Sequence, residues 1–311
     1  MPLFPEPTTQ PILAGKTALV TGSNTGIGLE AARILAAQSP ATLILAVRSV
    51  PSGEAARAQL LEAAPGLDIR VWTLDMASFD SVKAFAARAE AELPKLDVAV
   101  LNAGVAPGSG KRPLAATGDG HELTHQVNVL STLLLALLLV PALLRAADPS
   151  LVIVSSEVHA WANTGFVERT QAQGSLLRAV DDPAQYVNDE RYFLSKLLLQ
   201  LGVRRLLPAL PGIRVVSTTP GLCKTGLARD YTEEEQAAMY GHARSARDGA
   251  TVVTSAIGSP KSEEFWADCK PTPSPSAFMH TPKGDAASAA YWAELLPLFE
   301  SVAPGSTKVL A

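Results

Sequence analysis

The sequence predicts an α/β fold, a doubly wound parallel sheet with helices on both faces, and three observations predict it. Short apolar runs of strand length alternate with longer helical patterns, as βαβ units do. The runs are apolar throughout rather than at every second position, which suits strands covered on both faces. The length of 311 residues accommodates one large α/β domain. No linker composition, internal repeat or low-complexity tract interrupts the chain, so a single domain over residues 1–311 is expected.

Residues 17–21 (TALVT) form the first apolar, β-branched run. Residues 26–37 then read as a helix, with Ile27, Ala31, Ile34 and Leu35 on one face. A strand is expected at 43–47, a helix at 54–64 and a strand at 68–74. Ser78 opens a helix over 78–93 with Asp80 in its first turn, as capping and the helix dipole favour. Further strands follow at 96–101, 150–155 and 213–218, with helices at 190–206 and 286–301. Two stretches break the rhythm. Residues 157–189 hold Gly165, Gly174, Pro183 and several Asn, Asp and Gln, and read as a surface insertion after strand five. Residues 259–284 carry Pro260, Pro271, Pro273, Pro275 and Pro282 and are not expected to be regular; their late position suits a lid-like segment.

Composition narrows the class. Hydrophobic residues make up 47% and charged residues only 18%, which argues against a disordered chain. The net charge of −4 lacks the basic excess of a nucleic-acid binder. The two cysteines, Cys223 and Cys269, form neither a disulfide framework nor a structural zinc site, so a reducing, cytoplasmic setting is expected. Met1 to Gly15 contains Pro2, Pro5, Pro7 and Pro11 and has no basic start followed by an apolar stretch, so no signal peptide is expected. The longest apolar run, 129–144, is broken by Ser131, Thr132 and Pro141 and ends at Arg145. It falls short of the roughly 18 residues a spanning helix needs. No membrane span is expected, and the run reads as a buried or subunit-interface helix.

Thr21-Gly22-Ser23-Asn24-Thr25-Gly26-Ile27-Gly28 ends the first strand and opens the first helix. A dinucleotide needs that setting: glycines permit a tight turn and close backbone approach, and the helix start presents free N–H groups to a pyrophosphate. The spacing is GxxxGxG rather than GxGxxG. At the end of the second strand, an acidic residue would bind the ribose of NAD. Arg48 stands there instead, and an arginine pairs with the 2′-phosphate of NADP. Asp75, with Met76 beside it, ends the third strand, where a carboxylate can accept from the adenine amino group or simply flank a helix.

These residues, taken with others further on, resemble the short-chain dehydrogenase/reductase superfamily over nearly the whole chain. The matching motifs are Thr21 to Gly28 as TGxxxGIG, Asn102-Ala103-Gly104 after strand four, and Asn128 in Gln126-Val127-Asn128-Val129. They continue with Ser155-Ser156 after strand five, Tyr192-Phe193-Leu194-Ser195-Lys196 as YxxSK, and Pro220-Gly221 followed by Thr225 after strand six. Within the superfamily, Asn24-Thr25, Arg48, the insertion and Pro220 to Thr225 look like the retinol-dehydrogenase-like branch, features shared by many fungal biosynthetic reductases. Ser156 and Tyr192 stand 36 positions apart (192 − 156), further than in ordinary members, which puts pocket shape in question rather than chemistry.

The resemblance implies a Rossmann fold and NADP(H) as cofactor. It assigns cofactor contacts to Gly22, Asn24, Thr25, Gly26, Ile27, Gly28, Arg48, Asp75, Met76, Asn102, Ala103, Gly104, Tyr192, Lys196, Pro220, Gly221 and Thr225. It assigns catalysis to Asn128, Ser156, Tyr192 and Lys196. Physical chemistry supports the pairing of Tyr192 with Lys196. A tyrosine has a pKa near 10 and is a poor proton-transfer group at neutral pH. A cation one helical turn away shares its face and favours the phenolate. The resemblance adds that Lys196 holds the nicotinamide ribose, Ser156 polarises the substrate oxygen and Asn128 holds a water leading to Lys196. Asn128 capping a helix is the plainer alternative. Ser155 competes with Ser156, and the family places the catalytic serine second.

Other polar residues carry less. His159 either lines the pocket or is satisfied by backbone, the commoner outcome for a loop histidine. His121 and His125 have a metal-compatible spacing, but no third ligand is apparent and they read as surface helix residues; no metal is expected. Cys223 reads as a packed thiol. The activity expected is NADP(H)-dependent interconversion of an alcohol and a carbonyl. Phe166, Phe193, Leu222, Trp266, Phe278 and Met279 suggest a lipophilic small-molecule substrate. The insertion and residues 260–282 are expected to cover the pocket, with Thr225 near the carboxamide. A homodimer through the 129–144 or 192–206 helices is a candidate assembly, either helix being equally readable as core. The rival readings are a non-redox biosynthetic step on the same fold, and a sensor or scaffold without turnover.

Overall fold

A computed structural model describes residues 13–110 and 113–310. Of the N-terminal stretch read as no signal peptide, residues 1–12 lie outside those described. One eight-stranded sheet runs through the chain in the order β3-β2-β1-β4-β5-β6-β7-β8. Its strands are β1 (Thr17–Thr21), β2 (Thr42–Val47), β3 (Asp68–Thr73), β4 (Val98–Leu101), β5 (Ser150–Val154), β6 (Arg214–Thr218), β7 (Glu263–Ala267) and β8 (Lys270–Pro271). All neighbours pair in parallel except β7 and β8. Strand order reverses between β1 and β4, the switch point outside which ligands of open α/β sheets bind.

Alternating side chains explain why the strands are apolar throughout. Leu19 faces one buried layer and its neighbours Ala18 and Val20 face the other. The second layer is closed by α1 (Gly26–Ala36) and α2 (Val50–Ala63), the latter admitting Pro51 in its first turn and so starting ahead of the expected 54. The first layer holds α3 (Phe79–Glu92), capped by Ser78 Oγ accepting from Ser81 N. A long helical stretch follows: α4 (Leu123–His125), a π-helical turn at Gln126–Leu130, α5 (Ser131–Leu138) and α6 (Val140–Leu143). Residues 129–137 have at most 3% exposure, so this run is core of the single chain rather than a free interface.

Residues 157–189 are not irregular. They form a 3₁₀ turn (Glu157–Trp161), α7 (Thr164–Ala172), α8 (Leu176–Asp181) and a second 3₁₀ turn (Pro183–Gln185). The polar residues that resemble loop markers are caps: Asn163, Ser175 and Asp182 each accept a backbone N–H at a helix start. Phe166, Val167, Leu176 and Val180 are buried in the first layer. Next come α9 (Asn188–Ala209), α10 (Glu233–Tyr240) and α11 (Ala246–Ser255), the last facing α1. Much of α9, including Leu194, Leu197 to Leu199 and Leu201, is buried too.

Residues 259–284 also depart from expectation, because they supply β7 and β8. Glu263 and Glu264 hide the strand in the sequence. Glu264 is paired with Arg204 at 2.6 Å, while Phe265 and Trp266 fill the interior. Asp268 and Cys269 turn the hairpin in the left-handed region, at φ 50° and 61°. Thr281 then caps α12 (Pro282–Val302), which Pro282 starts ahead of the expected 286.

Candidate active site

The glycine turn joins β1 to α1 at the switch point. Gly22 and Gly26 adopt φ of +65° and +57°, where side chains are strained. A Cβ on Gly28 would lie 2.2 Å from the Gly22 carbonyl oxygen, so only glycine lets α1 begin beneath the turn. Asn102 and Ala103, after β4, donate their N–H groups to Thr21 Oγ1 at 2.9 Å. The Asn102 amide donates to Thr21 O at 2.9 Å. On the far side, a Cβ on Gly26 would meet the Thr225 side chain at 3.3 Å. Thr225 therefore packs on the glycine turn, which places the segment after β6 over the start of α1. Pro220 is buried, and Gly221 turns at φ +73° beneath the Arg244 guanidinium.

These groups fit a dinucleotide phosphate. The N-terminal residue Thr25 makes no side-chain cap, leaving the first N–H groups of α1 for another acceptor. Ser23 Oγ is buried in the turn without a hydrogen-bond partner. Asn24, Thr25 and Ile27 remain partly or fully open on the same turn. Arg48 stands exposed after β2 with no polar partner among the described residues. Asp75 Oδ1 accepts from Ala77 N at 2.9 Å while Met76 is buried, so the carboxylate has a local turn role as well. Gly104 lies against Asn128, whose Oδ1 would be 3.2 Å from a Cβ there.

The carboxyl end of β5 meets α9 through Val154 O and Lys196 Nζ, on the same sheet edge as the glycine turn with β4 between them. Ser155 Oγ is buried without a partner, whereas Ser156, whose Oγ accepts from Val158 N at 3.4 Å, acts on the Tyr192 phenol and draws its pKa down. The second serine is thus the one turned to the tyrosine. Burial pushes the Tyr192 phenol up to about 12, and Ser156 only partly opposes it. Burial likewise brings the Lys196 ammonium down to about 8. Its Nζ lies 5.7 Å from the centre of the Tyr192 ring and donates to Val154 O at 3.1 Å. The expectation that Lys196 lowers the Tyr192 pKa is therefore not met. Desolvation outweighs a cation whose hydrogen bond is directed elsewhere.

Asn128 does not cap a helix. It lies inside the π-helical turn, where Thr132 Oγ1 donates to the Val127 carbonyl at 3.0 Å. Its Oδ1 accepts from Val105 N at 2.9 Å, and its Nδ2 donates to Val105 O at 2.9 Å and Ser195 Oγ at 3.0 Å. Ser195 in turn donates to Tyr192 O at 2.8 Å. Asn128 thereby ties the loop after β4 to the helix that carries Tyr192.

The apolar set is redistributed. Phe166, Phe278 and Met279 are core of the first layer, and Trp266 is core of the second with its Nε1 donating to Ser255 Oγ. Phe193 is half-buried and Leu222 is exposed. Sequence reading missed Trp161, 67% exposed and edge-on to Phe193 at 5.6 Å, five residues past Ser156. It also missed Tyr231, whose phenol acts on the Tyr192 site. His121 and His125 are not surface residues: both ring Nδ1 atoms meet Asp181, at 2.7 and 3.3 Å, and His125 Nε2 meets Tyr291. No metal-binding cluster occurs among the described residues. Cys223 is buried with Sγ donating to Pro220 O, and burial pushes its thiol up to about 11, as a packed thiol requires. No helix among the described residues is long and apolar enough to cross a membrane.

Comparison with known proteins agrees with this geometry. Residues 16–167 match the family described as short chain dehydrogenase. The chain is 35% identical over 310 residues to the short chain dehydrogenase/reductase dmxR8 of Cryptosporiopsis sp. (strain 8999), covering 94% of this chain and 93% of that protein. It is 36% identical over 313 residues to mfmJ of Annulohypoxylon moriforme, covering 96% and 88%. Among solved structures, salutaridine reductase from Papaver somniferum superposes with a TM-score of 0.65 at 22% identity, over 82% of this chain and 100% of that one. A short chain dehydrogenase from Shigella flexneri 2a, complexed with NADP, superposes with a TM-score of 0.60 at 22% identity, over 84% and 100%.

Proposed function

We propose, from the premise that this chain belongs to the short-chain dehydrogenase family, that it is an NADP(H)-dependent oxidoreductase interconverting a carbonyl and an alcohol on a lipophilic small molecule. The observation that carries the reading is the convergence of Ser156, Tyr192 and buried Lys196 at the carboxyl edge of the sheet from which the glycine turn also leaves.

Gly22, Asn24 to Gly28, Asn102 to Gly104, Pro220, Gly221 and Thr225 would hold the dinucleotide. Arg48 would hold its 2′-phosphate, and Asp75 and Met76 would flank the adenine. When bound, the nicotinamide supplies or takes up a hydride. Ser156 donates a hydrogen bond to the substrate oxygen and orients it. Tyr192, fully protonated at neutral pH with its pKa near 12, carries the proton that the oxygen receives during reduction. Lys196 lies beneath the ring as an ammonium whose charge stabilises the phenolate as it forms. Asn128, through Ser195, holds the backbone of Tyr192. Trp161, Phe193 and Leu222 give the mouth an apolar rim suited to a lipophilic substrate. With both cysteines reduced, a cytoplasmic setting fits this chemistry.

Calorimetric titration with NADPH and NADH, followed by loss of nicotinamide absorbance against a panel of lipophilic ketones, tests the reading. Tighter binding of NADPH and its consumption with at least one ketone support it. Binding of NADPH without consumption across ketones, and without formation of NADPH from the matching alcohols and NADP, contradicts it.

A further inference from the structure

We propose that His159 is a positioning residue for Ser156: its ring clamps the serine's carbonyl from one side and is itself clamped by Ser274 from the other. The inference rests on Ser156 being a catalytic residue. His159 is fully buried, three residues past Ser156 on the 3₁₀ turn. Its Nδ1 lies 2.6 Å from Ser156 O and its Nε2 lies 2.7 Å from Ser274 Oγ. A carbonyl oxygen only accepts, so Nδ1 carries the hydrogen. Nε2 then offers its lone pair, and the Ser274 hydroxyl donates to it. Burial disfavours the charged ring, consistent with this neutral form.

Both ends of the clamp are fixed. Phe265, on β7, meets the imidazole edge-on at 5.2 Å. Ser274 Oγ accepts from Ser276 N at 3.3 Å, and Ser274 O accepts from His280 Nε2 at 2.8 Å. Segment 274–280 is thereby connected through one ring to Ser156. That connection matters because Ser156 is extended (φ −159°, ψ 146°) directly before a tight turn. A small rotation of its carbonyl swings its hydroxyl away from Tyr192, and displacements of about 1 Å can cost on the order of 100-fold in rate. The histidine is satisfied by backbone, its ring meeting Ser156 O, which the His159 main-chain N–H also reaches at 3.3 Å, and the ring's bond is the one that positions the serine.

Two substitutions separate the ring's nitrogens. His159→Asn places an amide N–H where Nδ1 stands and keeps the bond to Ser156 O. His159→Gln reaches the Nε2 position and loses it. With NADPH and phenanthrenequinone, or whichever panel ketone the wild type reduces, His159→Gln is expected to lower kcat roughly 10- to 100-fold. KM and NADPH affinity should hold within about threefold, and His159→Asn should recover most of the loss. Ser274→Ala, a milder change expected to fold, should lower kcat several-fold. Equal losses in the Asn and Gln variants, or losses carried by KM alone, overturn the proposal. If a histidine variant does not fold, an unchanged kcat in Ser274→Ala overturns it. Long-range ¹⁵N–¹H NMR of the wild type must show His159 neutral with its hydrogen on Nδ1; an Nε2–H or charged ring overturns the clamp without any substrate. A wild type that reduces no ketone counts against the proposed function, and the NMR result then decides the clamp by itself.

Discussion

Lys196 Nζ lies 5.7 Å from the centre of the Tyr192 ring, and its hydrogen bond goes to the carbonyl of Val154 rather than to the phenol. Burial disfavours the charged form of each group: the phenol is pushed up to about 12 and the ammonium down to about 8. On the proposed function, Tyr192 would hold its proton at the start of a reduction.

Burial of Lys196 should be visible in stability. Its folded-state pKa lies below the unfolded value of 10.5, so the folded chain binds fewer protons between about pH 8 and 10.5. The cost of holding its charge is full below pH 8 and relieved as pH rises to 10.5. In urea unfolding of the cofactor-free protein, the stability difference between wild type and Lys196→Met should shift by about 3 kcal/mol in the wild type's favour across that window. A difference that stays flat with pH would mean the ammonium is not desolvated.

Tyr192→Phe removes the transferable proton and leaves the ring in place. Turnover should fall at least about 100-fold through kcat, with KM and NADPH affinity nearly unchanged. Steady-state kinetics and calorimetry check this, and near-normal turnover would rule out Tyr192 as the proton carrier.

Arg48 stands free of polar partners among the described residues, available to a 2′-phosphate. A charge-assisted phosphate contact is worth about 1.5–3 kcal/mol. Arg48→Ala should therefore cut the preference for NADPH over NADH by roughly 10- to 100-fold, acting on NADPH alone. Equal affinities for the two cofactors in the wild type would sink the assignment.

Asp181 anchors α8 to α4. Burial pushes its carboxyl up, but the bonds from His121 and His125 and from Glu122 N overrule it and hold the group far below the usual carboxylate range. Such a carboxylate stabilises the fold fully above its unfolded value of 3.8, and the contribution is lost as the pH falls further. Asp181→Asn should cost about 3 kcal/mol at pH 7, or roughly 5–10 °C in Tm, with the gap narrowing below about pH 4. NADPH affinity should not change, which calorimetry at pH 7 checks.

Most of the sheet and the glycine turn were legible because their signals are local. The run Thr17 to Thr21 and the glycines at 22, 26 and 28 each state their own conformation. What escaped depends on distant partners. Asn163, Ser175 and Asp182 look like loop residues until the helices they cap are seen. Glu264 masks β7 because its partner Arg204 lies 60 positions away. His125 reads as a surface residue because Tyr291, 166 positions on, is what buries it. At the candidate site, that Tyr192 and Lys196 share a face was readable, but the electrostatics were not. Whether Lys196 lowers the Tyr192 pKa depends on which acceptor its ammonium faces, and Val154 O is fixed only by the folded strand.

Deuteride transfer is the most direct measurement. Wild-type protein is incubated with NADPH deuterated at C4 of the nicotinamide and a ketone panel, and the alcohols are analysed by mass spectrometry. One deuterium should appear on the carbinol carbon of at least one product, from one face of the nicotinamide only, and the Tyr192→Phe protein should transfer it at least about 100-fold more slowly. Tight NADPH binding with no deuterium in any product, or transfer by Tyr192→Phe at the wild-type rate, would contradict the redox role assigned to Ser156, Tyr192 and Lys196.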